Sequence, residues 1–370
     1  MTEALTLGVE EEYQVIDPET RELTGRAGHV MAIAQADPSD TNVQREVYQS
    51  QIEIATPVCG SLAEARAELV KARRTILSAA SEAGSAIAAA GTHPFSDWRD
   101  QAVTETKVRY RRLVQDYRQI MRDLVIFGCH VHVGISDREM AVQVLNRSRI
   151  WLPVLLALCT NSPFWLGRDT SYASYRTELW SRWPFAGLPF PFKNDAEYRQ
   201  VTDSLVAIGA IRDATKIYWD IRLSEHVPTI EFRFADVCTT VDEAVMLAGL
   251  VRALAQTCLQ EVTSGQPPLE IRPELLQAAR WQAARHGMNK SLIDVIDQRP
   301  KPARQVLDQF LDYVTPALRE LGDRDEVTAL VQQTLERGTG DQRQRRAYER
   351  SQRFEDVVDG IVSQTAEGIF

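Results

Sequence analysis

Acidic side chains recur at alternate positions near the start of the chain. In residues 6–15 (TLGVEEEYQV), Glu10 and Glu12 are separated by Glu11. Because successive side chains of a β-strand point to opposite faces, Glu10 and Glu12 share one face and Glu11 points away. Two carboxylates at this spacing can bind one cation. An exposed acidic edge strand fits the triplet as well, so this stretch alone does not define a site.

A second stretch repeats the pattern. Residues 49–56 (QSQIEIAT) place Glu53 on one face, and Ile52 and Ile54 on the other. The isoleucines require a hydrophobic core, so we predict Glu53 on the opposite, polar face. Glu46 precedes this strand and could approach the same region, although a surface carboxylate fits that position equally well.

A pair of histidines is the sharpest local motif. Residues 126–134 (IFGCHVHVG) put His130 and His132 on one face, against Val131 and Val133 on the other. A single histidine in an apolar strand is usually a core residue, but two at alternate positions favour a site. Neutral imidazoles can bind a metal ion or donate hydrogen bonds to phosphate oxygens.

Acid–base pairs occupy two later stretches. Asp220 and Arg222 are two residues apart in residues 217–223 (IYWDIRL), which predicts that they share a face. Glu231 and Arg233 have the same spacing in residues 229–236 (TIEFRFAD), alternating with apolar residues. Each pair by itself also fits a structural salt bridge.

Five stretches with one layout favour a shared functional face. Burying so many charges would cost several kcal/mol per ion, roughly, unless they were paired or bound to a ligand. Carboxylates favour Mg²⁺ or Mn²⁺, and arginines suit phosphate oxygens. The sequence therefore predicts a metal–nucleotide site on one face of a sheet.

Helical patterns predict the elements that support this sheet. The clearest helix follows Gly60, where Ser61 and Glu64 have the spacing of a capping box. Residues 168–194, rich in aromatic residues and proline, are predicted to form a long irregular loop. Short strands separated by helices indicate a mixed α/β or α+β layer structure. Further helices are predicted at 104–125, 138–150, 195–210, 241–263, 273–286 and 302–321.

Composition limits the class of protein. The 370 residues contain no repeat or linker-like segment, so a single domain over 1–370 is predicted. The net charge of −9 argues against nucleic acid as a partner. The basic cluster at 340–354 is predicted to be a solvated helix face.

The cysteines and the apolar segments of the sequence indicate the cellular compartment of the protein. The five cysteines are widely separated and form no CxxC pair, so we predict reduced, buried thiols in a cytoplasmic protein. The start of the chain lacks the pattern of a signal peptide. The best apolar stretch, residues 150–159, is about half of the roughly 20 residues that span a bilayer, so no membrane role is expected.

Taken in order, the motifs identify a family resemblance that spans nearly the whole chain. The chain resembles the second family of glutamate–cysteine ligases, the YbdK-like carboxylate–amine ligases of the glutamine-synthetase-like superfamily. The motifs that carry the resemblance are GVEEEY (8–13), QIEIATPVC (51–59), GTHPF (91–95), FGCHVHVG (127–134), YASYR (172–176), YWDIRLS (218–224) and TIEFRFAD (229–236).

The resemblance implies an α+β fold in which a curved antiparallel sheet forms a catalytic funnel, with helices packed on its outer face. Arg222 and Arg233 would contact the transferring phosphoryl group in catalysis, together with Glu53. His132 would lie with both arginines near ATP, and Arg176 would hold a substrate carboxylate, although a structural role fits Arg176 equally well. The implied metal ligands are Glu10, Glu12, Glu53, His130 and Glu231.

The implied reaction uses ATP and Mg²⁺, with Mn²⁺ as a substitute, to convert a carboxylate to an acyl phosphate that an amine then displaces. L-Glutamate and L-cysteine are the expected small-molecule substrates, giving γ-glutamylcysteine and ADP, and a homodimer is the expected assembly. Two alternatives remain open at this point. His130-x-His132 also fits a metal-dependent amidohydrolase, and a catalytically silent relative could bind a nucleotide or amino acid without turnover.

Overall fold

The computed structural model describes residues 5–36, 43–104 and 108–370, and an antiparallel sheet lies at its centre. In chain order, the strands are β1 (Leu7–Ile16), β2 (Val43–Arg45), β3 (Gln51–Ala55), β4 (Ala86–Ala88), β5 (Gly128–Gly134), β6 (Phe164–Trp165), β7 (Arg168–Asp169), β8 (Ile221–Leu223), β9 (Thr229–Asp236), β10 (Ser291–Asp294) and β11 (Arg299–Pro302). The main sheet has the order β2-β3-β1-β5-β9-β8, and β4 pairs with β1. The pairs β6–β7 and β10–β11 form separate two-stranded sheets.

Helices surround this sheet. They are α1 (Ala27–Ala34), α2 (Leu62–Glu82), α3 (Val108–Tyr117), α4 (Gln119–Arg122), α5 (Arg138–Ser148), α6 (Leu152–Leu158), α7 (Tyr175–Trp180), α8 (Asp195–Ala207), α9 (Val241–Thr263), α10 (Pro273–His286), α11 (Ala303–Glu320), α12 (Arg324–Arg337), α13 (Gly340–Ser351) and α14 (Phe354–Thr365). The sequence predicted α2, α5, α8, α9, α10 and α11 to within a few residues, but it did not predict α1, α6, α7, α12 or α14.

The apolar positions of the strands form the core, as their alternation predicts. Ile52, Ile54 and Phe232 are each at most 1% exposed, and they belong to one continuous cluster of buried residues. Helices α2 and α9 pack against β1 and β5 respectively. Ser61 caps α2 by accepting a hydrogen bond from the Glu64 N–H at 3.2 Å, but the Glu64 carboxylate accepts from the Gly60 N–H, so only the Ser61 half of the predicted capping box is present. Helices α2 and α9 cover the apolar face of the sheet, and the polar side chains of the strands lie on the opposite face.

Three predicted elements differ from the structure. The helix predicted at 104–125 is two shorter helices, α3 and α4, because Arg118 has a φ of 52° between them; residues 105–107 lie outside the described part. The loop predicted at 168–194 contains the helix α7. The strand predicted at 217–223 is ordered as a strand only from Ile221, so Asp220 lies before it.

The cysteine prediction agrees with the structure. All five cysteines are free and buried. Residues 340–351, within the basic cluster, form the predicted helix, α13, but it is only partly solvated, because Asp341 and Gln344 are buried and Arg343 pairs with Glu243. Within the ranges that the structure describes, no helix combines the length and the apolar character needed to cross a membrane.

Candidate active site

A cavity of about 410 Å³ lies over the polar side chains of the main sheet. The structure brings every predicted site residue to its wall, from five strands and one short helix. These residues are Glu10, Glu12, Glu53, His130, His132, Arg176, Arg222, Glu231 and Arg233. The placement of those on strands follows from strand alternation, because each lies opposite the apolar positions that fill the core. Arg176 reaches the wall from α7.

The register of the sheet sets which of these side chains meet. Glu10 lies opposite His130 across β1 and β5, and His132 lies opposite Glu231 across β5 and β9. Arg222 is also opposite Glu231, on the other side of β9. Side chains directly opposite in an antiparallel pair are close enough to interact, so three strand pairs converge on one group of charges.

Glu10, His130 and Glu231 form the tightest group. One candidate ligand atom from each lies within 4.8 Å of the others. Glu10 Oε2 is 3.1 Å from His130 Nδ1, which is in turn 4.0 Å from Glu231 Oε1. Glu10 Oε1 also lies 3.3 Å from His132 Nε2. Two carboxylates and an imidazole at these distances can share one metal ion.

The electrostatics keep this group in the form that a cation requires. Burial opposes ionisation of Glu10, but hydrogen bonds from His130 and His132 hold its pKa well below the ordinary value. Burial and the nearby Arg233 lower the pKa of His130 to about 4, so its imidazole is neutral near pH 7. Burial acts against the charged form of His132 too, yet its contact with Glu10 raises its pKa.

Glu231 is held by two arginines. Arg222 donates to it twice, through Nε at 2.7 Å and through a second nitrogen at 3.2 Å. Arg233 donates to the same carboxylate through Nη1. Burial alone would raise the pKa of Glu231, but attraction to Arg233 and Arg222 keeps it well below the ordinary value. A metal ion at Glu231 would therefore compete with these two guanidinium groups.

Glu12 and Glu53 form a second acidic group, directly opposite each other in the register of β1 and β3. Burial and the neighbouring Glu46 raise the pKa of Glu12 to about 7, although Glu12 accepts a hydrogen bond from the Gly128 N–H at 2.6 Å. Burial and Glu46 also raise the pKa of Glu53 well above its usual range. A divalent cation would relieve this repulsion, so the donor set fits Mg²⁺ or Mn²⁺.

Arg176 lies in the cavity wall beside the acidic groups and is 3% exposed. Its guanidinium packs over Gly128, where an added Cβ would collide with it. Trp180 lies beneath it, with 5.9 Å from the guanidinium carbon to the ring centroid. The buried Nε of Arg176, like that of Arg233, has no hydrogen-bond partner among the described residues. Both guanidinium groups can thus accept a further anionic partner.

An aromatic wall is the part of the cavity that sequence patterns missed. Trp180, Trp183 and Tyr218 line it, with ring centroids 4.6 Å apart for Trp183–Tyr218 and 5.3 Å for Trp180–Tyr218. For Trp180 and Trp183, the signal was the aromatic content of residues 168–194, which indicated a functional segment without assigning its members. Glu46, which the sequence left open, also lines the cavity.

One charged residue, Asp220, does not behave as predicted, whereas Glu11 does. Asp220 does not share a face with Arg222; it is 1% exposed and ion-paired with Arg280 of α10. Glu11 does point away from the cavity, but it enters the core and pairs with the buried Arg73 at 2.5 Å. The cavity therefore excludes both carboxylates.

Solved structures with this architecture show the fold class of the chain. A glutamate–cysteine ligase from Francisella tularensis in complex with AMP superposes with a TM-score of 0.71 at 13% identity, covering 98% of this chain and 89% of that one. A bifunctional glutathione synthetase from Pasteurella multocida gives 0.72 at 15% identity, covering 98% and 53%. The chain has the glutamine-synthetase-like α+β fold that the sequence predicted.

Sequence relatives define the family. A sequence model of glutamate–cysteine ligase family 2 matches residues 6–363. A protein of Rhodopirellula baltica, provisionally named glutamate–cysteine ligase 2, is 44% identical over 364 residues, covering 97% of this chain and 96% of that protein. A Frankia alni protein with the provisional name glutamate–cysteine ligase 2-2 is 42% identical over 373 residues, covering 97% of each. The chain belongs to glutamate–cysteine ligase family 2.

Family membership confirms the predicted class of enzyme. The protein is an ATP-dependent ligase that joins a carboxylate to an amine. A metal-dependent amidohydrolase, considered for His130 and His132, finds no support in these comparisons.

Proposed function

We propose that this cavity activates L-glutamate with Mg²⁺-ATP and joins it to L-cysteine, giving γ-glutamylcysteine, ADP and phosphate. The observation that carries the proposal is the convergence of two acidic groups and three arginines on one cavity wall. Such a wall can hold a metal–nucleotide complex and an anionic substrate side by side, because carboxylates bind the cation while guanidinium groups bind the anions.

The acidic residues would hold the metal. Glu10, His130 and Glu231 are proposed for one position, because their ligand atoms lie within 4.8 Å. Glu12 and Glu53 are proposed for a second, because burial beside other carboxylates disfavours their charged forms unless a cation is near. Mg²⁺ would neutralise phosphate charge and orient the γ-phosphoryl group. Mn²⁺ prefers the same oxygen-rich donors and is the proposed substitute.

Arg222 and Arg233 are proposed to contact the transferring phosphoryl group. Both donate to Glu231, so phosphate oxygens would compete with that carboxylate for them. If phosphate oxygens replaced Glu231 as partners of these arginines, the Glu231 carboxylate would be available to bind a cation. Guanidinium groups placed at the developing charge lower the barrier to phosphoryl transfer. His132 is proposed to lie beside the nucleotide, since it shares this wall.

Arg176 is proposed to hold a carboxylate of the acyl donor. Its buried Nε lacks a hydrogen-bond partner within the described residues, and its carbonyl neighbours, the oxygens of Phe234 and Arg233, lie at 3.4 and 3.5 Å. These are long contacts for a guanidinium group, so a bidentate carboxylate would be a better partner. Trp180 would form the apolar side of this subsite.

The two chemical steps then follow in order. A carboxylate oxygen of the donor attacks the γ-phosphorus of ATP, and ADP leaves. The amine attacks the acyl carbon, phosphate leaves, and the amine nitrogen loses a proton. The carboxylate is a poor electrophile before the first step, so the amide cannot form without ATP.

The test is an assay of purified protein with Mg²⁺-ATP, L-glutamate and L-cysteine. We expect ADP and γ-glutamylcysteine in equal amounts, with ADP formation requiring the metal and the donor. Replacing the amine with hydroxylamine should trap the acyl phosphate as a hydroxamate. If ADP appears only with another carboxylate or amine from a panel, those compounds would replace L-glutamate or L-cysteine as the proposed substrates. Absence of ADP across the panel would instead favour the catalytically silent relative.

We also propose a single catalytic domain and a homodimer in the cytoplasm. These remain predictions that rest on family resemblance and composition. Light scattering after size-exclusion chromatography measures the assembly directly, and a monomeric mass would contradict the dimer.

A further inference from the structure

Asp236, the last residue of β9, is a buried carboxylate outside the cavity wall. It is fully buried and lies opposite Gly128 in the sheet register. Its Oδ2 accepts hydrogen bonds from the Asn161 N–H and the Ser162 hydroxyl, both at 2.7 Å. Its Oδ1 accepts one from the Ser174 hydroxyl at 2.8 Å. One carboxylate thus holds two separate parts of the segment that precedes α7.

These contacts lead directly to Arg176. The Ser162 oxygen accepts a hydrogen bond from the backbone N–H of Arg176 at 3.0 Å. Ser174 is the N-cap of α7 and accepts one from the Thr177 N–H at 3.3 Å. Both hydroxyls that hold the first turn of α7 donate their own protons to Asp236. The carboxylate therefore fixes the backbone from which the Arg176 side chain extends.

Close packing leaves this arrangement little freedom. A Cβ added at Gly91 would lie 2.7 Å from the Asp236 carboxyl carbon. A Cβ at Gly128 would collide with the guanidinium of Arg176. The Asp236 carboxylate is thus packed closely against Gly91, and the Arg176 guanidinium is packed closely against Gly128.

We propose that Asp236 is a positioning residue that sets where Arg176 meets the substrate carboxylate. The proposal rests on the function proposed above for Arg176. It acts through two hydroxyl groups and the first turn of α7, and Asp236 itself touches no substrate. Supporting shells of this kind hold a binding group to within about 0.5 Å of its productive position.

The decisive variant is Asp236→Asn, which keeps the shape but weakens acceptance from two hydroxyl groups. In its crystal structure we expect Arg176 to move by more than about 0.5 Å. In steady-state assays we expect the KM for L-glutamate to rise about 10-fold to 100-fold, while the KM for ATP changes less than about 2-fold. The control is Asp323→Asn, because Asp323 is also a buried carboxylate outside the cavity wall, but its partner is Arg252 and not the segment that carries Arg176.

Arg176→Lys separates a positioning role from a merely structural one. If Asp236 acts through Arg176, Asp236→Asn should raise the KM for L-glutamate much less in the Arg176→Lys background than alone. Equal effects in both backgrounds, an equal KM change in Asp323→Asn, or an unmoved Arg176 in the crystal would each overturn the proposal. Should Asp236→Asn fail to fold, Ser162→Ala removes the hydroxyl that joins Asp236 to the Arg176 N–H, leaves the Ser174 link in place, and is expected to show the same KM split.

The crystal structure keeps this test independent of the proposed reaction. If the wild-type protein forms no ADP with any donor, the proposed function fails, but the position of Arg176 in Asp236→Asn still decides the positioning role. If Arg176→Lys leaves the KM for L-glutamate unchanged, Arg176 does not hold the substrate carboxylate. The crystal structure of Asp236→Asn still decides whether Asp236 positions Arg176.

Discussion

Glu10 and His130 face each other across β1 and β5, with 3.1 Å between Glu10 Oε2 and His130 Nδ1. The same carboxylate lies 3.3 Å from Nε2 of His132, two residues further along β5. Glu10 is therefore the member of the site that contacts both histidines. Because a strand places alternate residues on one face, one glutamate can bridge the two imidazoles.

Glu10→Gln should weaken the binding of Mg²⁺ more than it weakens the binding of ATP. The change removes one negative charge from the tightest ligand group and keeps the volume. We expect the Mg²⁺ concentration for half-maximal ADP formation to rise by at least about 10-fold. The measurement is a Mg²⁺ titration of the initial rate at saturating ATP.

Glu82→Gln is the matched control for this titration, because Glu82 is exposed at the end of α2. Its Mg²⁺ dependence should equal that of the wild type. An unchanged titration in Glu10→Gln would remove Glu10 from the metal site.

Glu53→Gln should form ADP more slowly than the wild type. In the absence of metal, it should be more stable to unfolding than the wild type. Burial beside Glu46 raises the pKa of Glu53, so its charged form opposes folding. We expect ADP formation to fall by at least about 100-fold and the metal-free free energy of unfolding to rise by about 1 kcal/mol. The measurements are ADP release and urea unfolding in EDTA. Added Mg²⁺ should stabilise the wild type more than the variant, and the reverse order would contradict a metal-binding role.

Glu11→Gln should destabilise the fold, although Glu11 lies outside the cavity. Its carboxylate pairs with the fully buried Arg73 and accepts a hydrogen bond from Tyr13 at 2.5 Å. Removing one partner leaves an uncompensated buried charge, which costs about 3 kcal/mol. Urea unfolding measures this loss. Asp325→Asn should change stability by less than about 0.5 kcal/mol, because the Asp325 side chain is 97% exposed.

Strand alternation made the faces of the sheet predictable. Glu10, Glu53 and His132 line the cavity because a period of two is imposed by backbone geometry, whatever the neighbouring strands are. The pairing of Glu10 with His130 was not predictable, since it depends on which strands meet and in which register. That information lies in contacts between residues 120 positions apart.

Distant partners also explain the predictions that were wrong. Asp220 was assigned to the same face as Arg222, but Arg280 from α10 pairs with it in the core. The segment around Arg176 was predicted to be a loop from its aromatic and proline content, and a helix of six residues has little intrinsic stability of its own. Its first turn is held by Asp236, sixty residues away along the chain. Local patterns in the sequence contain neither interaction.

His93 in GTHPF should make stability depend on pH below neutrality. Burial lowers its pKa to about 3, and its Nδ1 accepts the Ser96 N–H at 2.8 Å. The unfolded chain gains this proton near pH 6.5 and the folded chain does not, so stability falls as pH decreases through that range. From pH 7 to 5 we expect His93 to contribute a loss of about 2 kcal/mol, measured by urea unfolding. His93→Asn should lack this contribution, whereas the exposed His29→Asn should retain it; equal slopes would contradict the prediction.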